Sequence, residues 1–183
     1  MKTLDELIAD KIMDLLHYVL SKFIKPDITL ENVNQKYNAI VYNAILGGTA
    51  NSKMFQEVRE KASLAYSAGS TYLRYKGNIF IKCGIEIKNY EKAMQIIRKQ
   101  LEDMKKGIFT DEDIENAKKS IISGIRSIDD EQDTEITYYF GQELSGTKTS
   151  LEEYIENIQK VNKADVLEVA KQISINTIYF LKN

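Results

Sequence analysis

A chain of 183 residues with 43% hydrophobic and 28% charged side chains has the composition of an ordinary folded domain, long enough to bury about two-thirds of its unfolded surface. Its formal net charge of −2 and lack of a basic run give no electrostatic footprint for nucleic acid or an anionic membrane surface, and its apolar stretches are too short or too broken by charge to span a bilayer. One cysteine, Cys83, and one histidine, His17, exclude an internal disulfide and a zinc peptidase centre, which needs two or three imidazoles or thiolates plus a carboxylate.

The start, MKTLDELIAD, carries acids where a secretory signal would carry basic residues and then an apolar run, so the expected location is the cytoplasm. Apolar residues at 4, 7, 8, 12, 15, 16, 19, 20 and 23 recur at helical period and predict a first helix over roughly 3–24, with Thr3 and Glu6 as a capping box. His17 lies in this amphipathic stretch and reads as a surface or half-buried helix residue, too isolated to serve a triad or a metal. Pro26, the only proline, separates this helix from the rest. A second helix is predicted over roughly 35–46, ended by Gly47-Gly48 with a glycine in the left-handed conformation. Asn51 or Ser52 then caps a short helix, SKMFQEVREK.

Two β-rich runs follow, 64–75 and 78–87, joined at Lys76-Gly77 or Gly77-Asn78 as a hairpin. Cys83, in mid-strand, reads as a buried small hydrophobe. Asn89 caps a long helix ended by Gly107. Thr110 opens the next, with acids at 111, 112 and 113 favouring its N-terminal dipole and with Ile114, Ala117, Ile121, Ile122 and Ile125 lining its inner face. The cluster Asp129-Asp130-Glu131 with Asp133 lacks the turn and spacing of a calcium loop and reads as a helix start. The following helix holds Tyr138-Tyr139-Phe140, expected in the core. Lys105-Lys106 and Lys118-Lys119 read as solvated faces. Ser150 with Glu153 opens another helix as a capping box, Asn162 caps one more, and NTIYFLKN closes the chain as a strand. Strands and helices are segregated, so the expected fold is α+β, an antiparallel sheet packed on several helices. Three strands are few for that many helices, so a strand is either missing from this chain or supplied by a partner.

The segment from Asn43 to Tyr66, NAILGGTANSKMFQEVREKASLAY, carries the chemistry. A helix ends in two glycines, a polar loop leads to a helix bearing Arg59, and a strand start bears Tyr66 seven residues later. Arginine offers a rigid multi-donor fork for carbonyl or carboxylate oxygens, and a tyrosine hydroxyl can donate to a developing oxyanion. The commoner arrangement at such a spacing is a surface arginine beside a half-buried tyrosine, so the pair alone does not decide between chemistry and structure.

Gly47-Gly48, Ser52, Phe55, Val58-Arg59-Glu60-Lys61 and Leu64-Ala65-Tyr66-Ser67 resemble the signature of the second domain of the pitrilysin family of inverted zinc peptidases, which includes insulin-degrading enzyme and mitochondrial processing peptidase. The resemblance continues through Lys76-Gly77, FIKCGIEI, Asn89-Tyr90, GIFTDEDIENAKKSI, LEEYIENIQKVNKADVLEVAKQI and TIYFL. It covers about residues 36–183 and is closest to bacterial members that lack the zinc motif. On this basis 36–183 is expected to be a pitrilysin-type C-terminal domain, metallohydrolase-like, and 1–35 an N-terminal helix and linker without assignment, because these residues do not resemble the usual start of the domain.

The resemblance implies one half of a clamshell. A zinc-bearing half carries His-x-x-Glu-His, whose glutamate activates the metal-bound water, and that motif occurs nowhere in this sequence. The residues matching Arg59 and Tyr66 would contact the peptide backbone and the scissile carbonyl oxygen, so both are expected to bind substrate and Tyr66 to act catalytically within a complex. No cofactor or metal is expected in this chain, zinc belonging to the partner. The implied partners are a peptide and a zinc-bearing homologous subunit or domain, or a second copy of the chain. The other open reading is a non-catalytic scaffold or peptide-binding protein of the same fold.

Overall fold

The computed structural model describes residues 33–128 and 130–181. The expected helix at 3–24, with His17 and Pro26, lies outside the described residues, as does Asp129.

Helix α1, Val33–Asn43, continues directly into a π-helical turn, Ala44–Gly48. Tyr37, Ala39, Val41, Tyr42, Ala44, Ile45 and Leu46 are all buried, so apolar residues surround the axis. Such a helix is stable only when neighbours cover every side, and here the sheet and three later helices, Asp111–Arg126, Leu151–Lys160 and Lys163–Gln172, pack on it. A second π-helix, Phe55–Lys61, follows a short polar loop. Strands β1, Ala65–Leu73, and β2, Asn78–Ile85, form an antiparallel pair with Ser70 opposite Ile81, turning through Arg74–Lys76 and through Gly77 at φ 63°, where the sequence places the hairpin. Then come α2, Tyr90–Lys105, α3, Asp111–Arg126, α4, Gln132–Ser145, α5, Leu151–Lys160, and α6, Lys163–Gln172. The architecture is α+β: mostly helical, with a two-stranded antiparallel sheet laid on the helices.

The core is one cluster in which Met54, Val58, Met104, Ile158 and Val166 are completely buried, each contributing about 1.5–3 kcal/mol relative to exposure. The inner face of the hairpin, with Ala68, Tyr72, Ile79, Ile81, Cys83 and Ile85, packs against it. Polar anchors fix the helix starts. Thr110 and Asp113 form a reciprocal capping box, as do Asn162 and Asp165. Ser150 accepts from the Glu153 N–H at 3.1 Å, which is half of the expected box. Asn89 precedes α2 without a side-chain cap, because a 3-10 turn over Ile87–Asn89 leads into the helix. Lys53 bonds Asp113 at 2.7 Å, tying the loop before the second π-helix to the start of α3. Desolvation pushes the Asp113 carboxyl up, but the hydrogen bonds from Lys53 and Thr110 outweigh it and hold the group below its ordinary value.

Three sequence expectations are corrected. Gly47 and Gly48 do not end α1 in the left-handed region; among described glycines, positive φ belongs to Gly77, Gly107 and Gly146. Gly47 is needed for close approach instead: a Cβ there would lie 2.5 Å from the Ser70 N and 2.6 Å from its Oγ, so only a bare Cα lets the π-turn touch β1. The closing strand does not form. Residues 174–181 carry no regular structure, and Ile175, Ile178, Tyr179 and Leu181 are exposed, because no described strand lies alongside to pair their backbone groups. Phe180 stacks on Tyr90 at 4.3 Å between ring centroids. Finally, Tyr139 and Phe140 are not core residues. With Ile136 and Leu144 they form an exposed stripe on α4, which is fastened at its C-terminal half by bonds from Tyr138 and Gln142 to Thr149.

Candidate functional site

Arg59 and Tyr66 are carried on adjoining elements, the second π-helix and β1, which pack against each other. Met54 and Val58 anchor the π-helix by full burial, which leaves Arg59 on the outer side. Its guanidinium carbon sits 4.7 Å from the centroid of the Phe55 ring one turn earlier, and its Nε lies 3.7 Å from a Glu60 carboxylate oxygen, beyond a good hydrogen bond. The stack on Phe55 holds the stem of the side chain, while no hydrogen bond among the described residues uses its donors.

The helix is stopped by Ser63, the one non-glycine residue with positive φ (50°) among those described. The Leu64 N–H returns to the Val58 carbonyl at 3.1 Å and the Ser63 N–H to the Arg59 carbonyl at 3.1 Å. These bonds span six and four residues, so the left-handed Ser63 closes the helix with a loop one residue wider than an α-helical C-terminus, as suits a π-helix, and Leu64 beyond it is buried. The chain therefore reverses sharply and delivers Tyr66 to the second position of β1.

Tyr66 is 80% exposed, not half-buried, and a β-bulge is the cause. Ala65 pairs with Ile85 and Ser67 with Gly84, so Tyr66 and Ser67 together oppose one residue. Ser70 and Ala68 point inward, and counting back in twos from them would put Tyr66 on the inner face. The extra residue flips it outward. Its ring then crosses to β2 and covers Gly84, where an added Cβ would meet the Tyr66 Cζ at 2.2 Å. Sequence reasoning missed Gly84, although a glycine in mid-strand is itself a signal of a bulge or close approach.

Both expected site residues thus face solvent from neighbouring elements, and no hydrogen bond or ring contact joins them. Behind them, Gly47 seats the π-turn on β1, and the Ser70 hydroxyl bonds the Asn43 side-chain oxygen at 2.8 Å, which fixes the strand to α1. A shallow cleft of about 350 Å³ lies elsewhere, lined by Arg126, Leu151, Glu152, Ile155 and Glu156. What this chain offers at Arg59 and Tyr66 is therefore an open surface, with both side chains exposed on it. Among the described residues no three His, Cys, Asp or Glu side chains gather as a metal site, and no helix is long and apolar enough to cross a membrane. Cys83 is a free thiol on the inner face, raised by burial.

Comparison with known proteins bears on the same segment. The family model described as the peptidase M16 inactive domain matches residues 9–121. A protein named "Probable inactive metalloprotease YmfF" from Bacillus subtilis (strain 168) is 37% identical over 150 residues, 81% of this chain and 35% of that protein. Among solved structures, a conserved protein from Enterococcus faecalis V583 superposes with a TM-score of 0.70 at 29% identity, over 81% of this chain and 34% of that one. The peptidase M16 inactive domain from Pseudomonas fluorescens has the same fold, with a TM-score of 0.68 at 18% identity over 84% of this chain and 36% of that one. The chain spans about a third of the length of the curated relative it matches. The match of the family model over most of the chain and the identity to the Bacillus protein show that this chain belongs to the peptidase M16 inactive-domain family.

Proposed function

We propose that the chain is the substrate-contacting half of a two-part peptidase, in which Arg59 binds the peptide backbone and Tyr66 donates a hydrogen bond to the scissile carbonyl oxygen as it becomes an oxyanion. The observation that carries this reading is the outward turn of Tyr66, 80% exposed at a bulge. The phenol lies over Gly84 with no hydrogen-bond partner among the described residues, and an exposed, unpaired hydroxyl has the form of a donor for a group arriving from outside. Arg59, stacked on Phe55 and with only a loose 3.7 Å ion pair to Glu60, supplies a second contact of the kind an extended peptide backbone accepts.

The residues of this chain do not fit zinc. The whole sequence holds one His and one Cys, and Cys83 lies on the core side of β2. Hydrolysis would therefore require a homologous half with its own metal site, as a separate subunit or as another part of a longer protein. In this reading residues 36–183 are the peptidase-type domain, residues 1–35 are an N-terminal helix and linker without an assigned role, and the cytoplasm is the setting.

A second reading is a scaffold or peptide-binding protein with no turnover, and the word "inactive" in the name of the Bacillus relative favours it. Capture of the chain with its bound proteins from its native extract separates the two. A same-fold protein bearing His-x-x-Glu-His in the capture is the outcome expected of the first reading; capture without one moves the scaffold ahead. In the recovered complex, Tyr66→Phe should lower kcat about 10²-fold, the usual cost of an oxyanion donor, and Arg59→Ala should raise KM. An unchanged rate for Tyr66→Phe would refute the assigned role.

A further inference from the structure

Gly84 lies on the outer face of β2 with Phe80 and Lys82, the inner face being Ile79, Ile81, Cys83 and Ile85. Phe80 and Lys82 are occupied with each other, the ammonium 5.4 Å from the ring centroid. Tyr66 instead lies over Gly84. The atoms that an added Cβ would meet are Cζ at 2.2 Å, the hydroxyl oxygen at 2.6 Å and Cε1 at 2.7 Å. They all belong to the hydroxyl-bearing end of the ring, so the contact locates the hydroxyl itself and not only the stem of the side chain.

We propose that Gly84 is a positioning residue for Tyr66: its bare Cα is the seat that selects one direction for the phenol hydroxyl. The bulge accounts for the face on which Tyr66 emerges, but an exposed tyrosine still has three staggered wells about its first side-chain bond. No hydrogen bond among the described residues chooses between them. The ring resting across the strand pair does, in the way an aromatic side chain covers a strand glycine. The choice of glycine is otherwise unfavourable, because glycine loses more backbone freedom on folding than any other residue. Its value in the reaction rests on the oxyanion role of Tyr66 given above.

A side chain at position 84 would displace the end of a flexible ring, not backbone, so the hairpin would survive and the hydroxyl would move. The first test is NMR on the chain alone. The Gly84 Hα protons should resonate upfield of their ordinary position from the Tyr66 ring current and return on Tyr66→Leu, with the amide pattern of the hairpin retained. The second is kinetic, in the complex with the zinc-bearing half. Gly84→Ala should lower kcat about 10²-fold at unchanged KM, matching Tyr66→Phe, and the double variant should be no slower than Tyr66→Phe alone. Unshifted Gly84 protons, or a shift indifferent to Tyr66→Leu, would overturn the seat whatever the fate of the peptidase reading. Losses that multiply in the double variant would overturn the positioning role. If Tyr66→Phe alone left kcat unchanged, the peptidase reading would fail and the positioning role with it, while the ring-current shift would stand as a packing contact.

Discussion

Gly47→Ala tests the contact that holds β1, and with it Tyr66, against the helical layer. The new Cβ would lie 2.5 Å from the Ser70 amide nitrogen and 2.9 Å from the Gly69 carbonyl carbon, roughly 1 Å inside ordinary contact. Both neighbours are backbone, so a rotamer change cannot relieve the overlap and the π-turn and strand must separate. Overpacking of this kind costs about 1–3 kcal/mol. The separation also stretches the 2.8 Å bond from the Ser70 hydroxyl to Asn43, a further loss of about 1 kcal/mol. Against these, alanine restricts the unfolded chain and returns about 0.4–1 kcal/mol. The expected net loss is about 2–3 kcal/mol, which urea denaturation would read as a lower midpoint at unchanged slope, followed by tyrosine emission because the chain has no tryptophan. Gly124→Ala is the control of opposite sign. Gly124 lies inside α3 with nothing within 4 Å of an added Cβ, so the change should stabilise by up to about 1 kcal/mol. A Gly47→Ala protein within about 0.5 kcal/mol of the parent, the range of an uneventful surface change, would refute the close-approach argument and return Gly47 to the role of an ordinary helix terminus.

Two predictions concern titration and reactivity. The Asp113 carboxyl is held below its ordinary value of 3.8, so its contribution to stability is complete above that pH and is lost as the pH falls through the lower folded value. Lys53→Met removes one of the two partners that depress it, and urea midpoints measured between neutral pH and pH 3 should then fall less steeply; an unchanged slope would mean that Lys53 does not hold the group. The Cys83 thiol is raised by burial on the inner face of β2, so its alkylation by iodoacetamide at neutral pH should be much slower than that of free glutathione and should reach the free rate in urea. Fast alkylation of the folded chain would show that the inner face of the hairpin opens.

Local chemistry made most of the fold legible. Thr110 and Asn162 cap α3 and α6 as the sequence indicates because their side chains and the acids three residues on are read within a single turn. Gly77 and Gly107 stand where left-handed φ is needed. What failed depends on contacts far apart in the chain. Gly47 has the local look of a helix stop, but the atoms that require it belong to Gly69 and Ser70, some twenty residues later. The apolar run at the end has the composition of a strand, yet a strand exists only beside another, and no local signal tells whether a neighbour is present. The stripe Ile136, Tyr139, Phe140 and Leu144 has the period of a buried helix face, which says that something apolar should cover it and not that this chain supplies the cover.

The orientation of Tyr66 marks the same boundary within the site. The residues Val58 to Ser67 identify the family segment, and the sequence correctly places Arg59 and Tyr66 on neighbouring elements. Alternation along β1 nevertheless assigns Tyr66 to the inner face with Ala68 and Ser70. Only the pairing of Ala65 with Ile85 and of Ser67 with Gly84 reveals the extra residue that reverses it. The bulge and the glycine work as a pair: the first turns a tyrosine that alternation would bury out to solvent, and the second gives its ring a surface on the opposite strand. Neither alone both exposes and orients the hydroxyl. An exposed tyrosine without the seat would rotate freely, and a seat without the bulge would face no ring. That two departures from regular strand chemistry fall opposite each other, where Tyr66 leaves the sheet, is the strongest physical argument that this side chain is presented to something outside the chain.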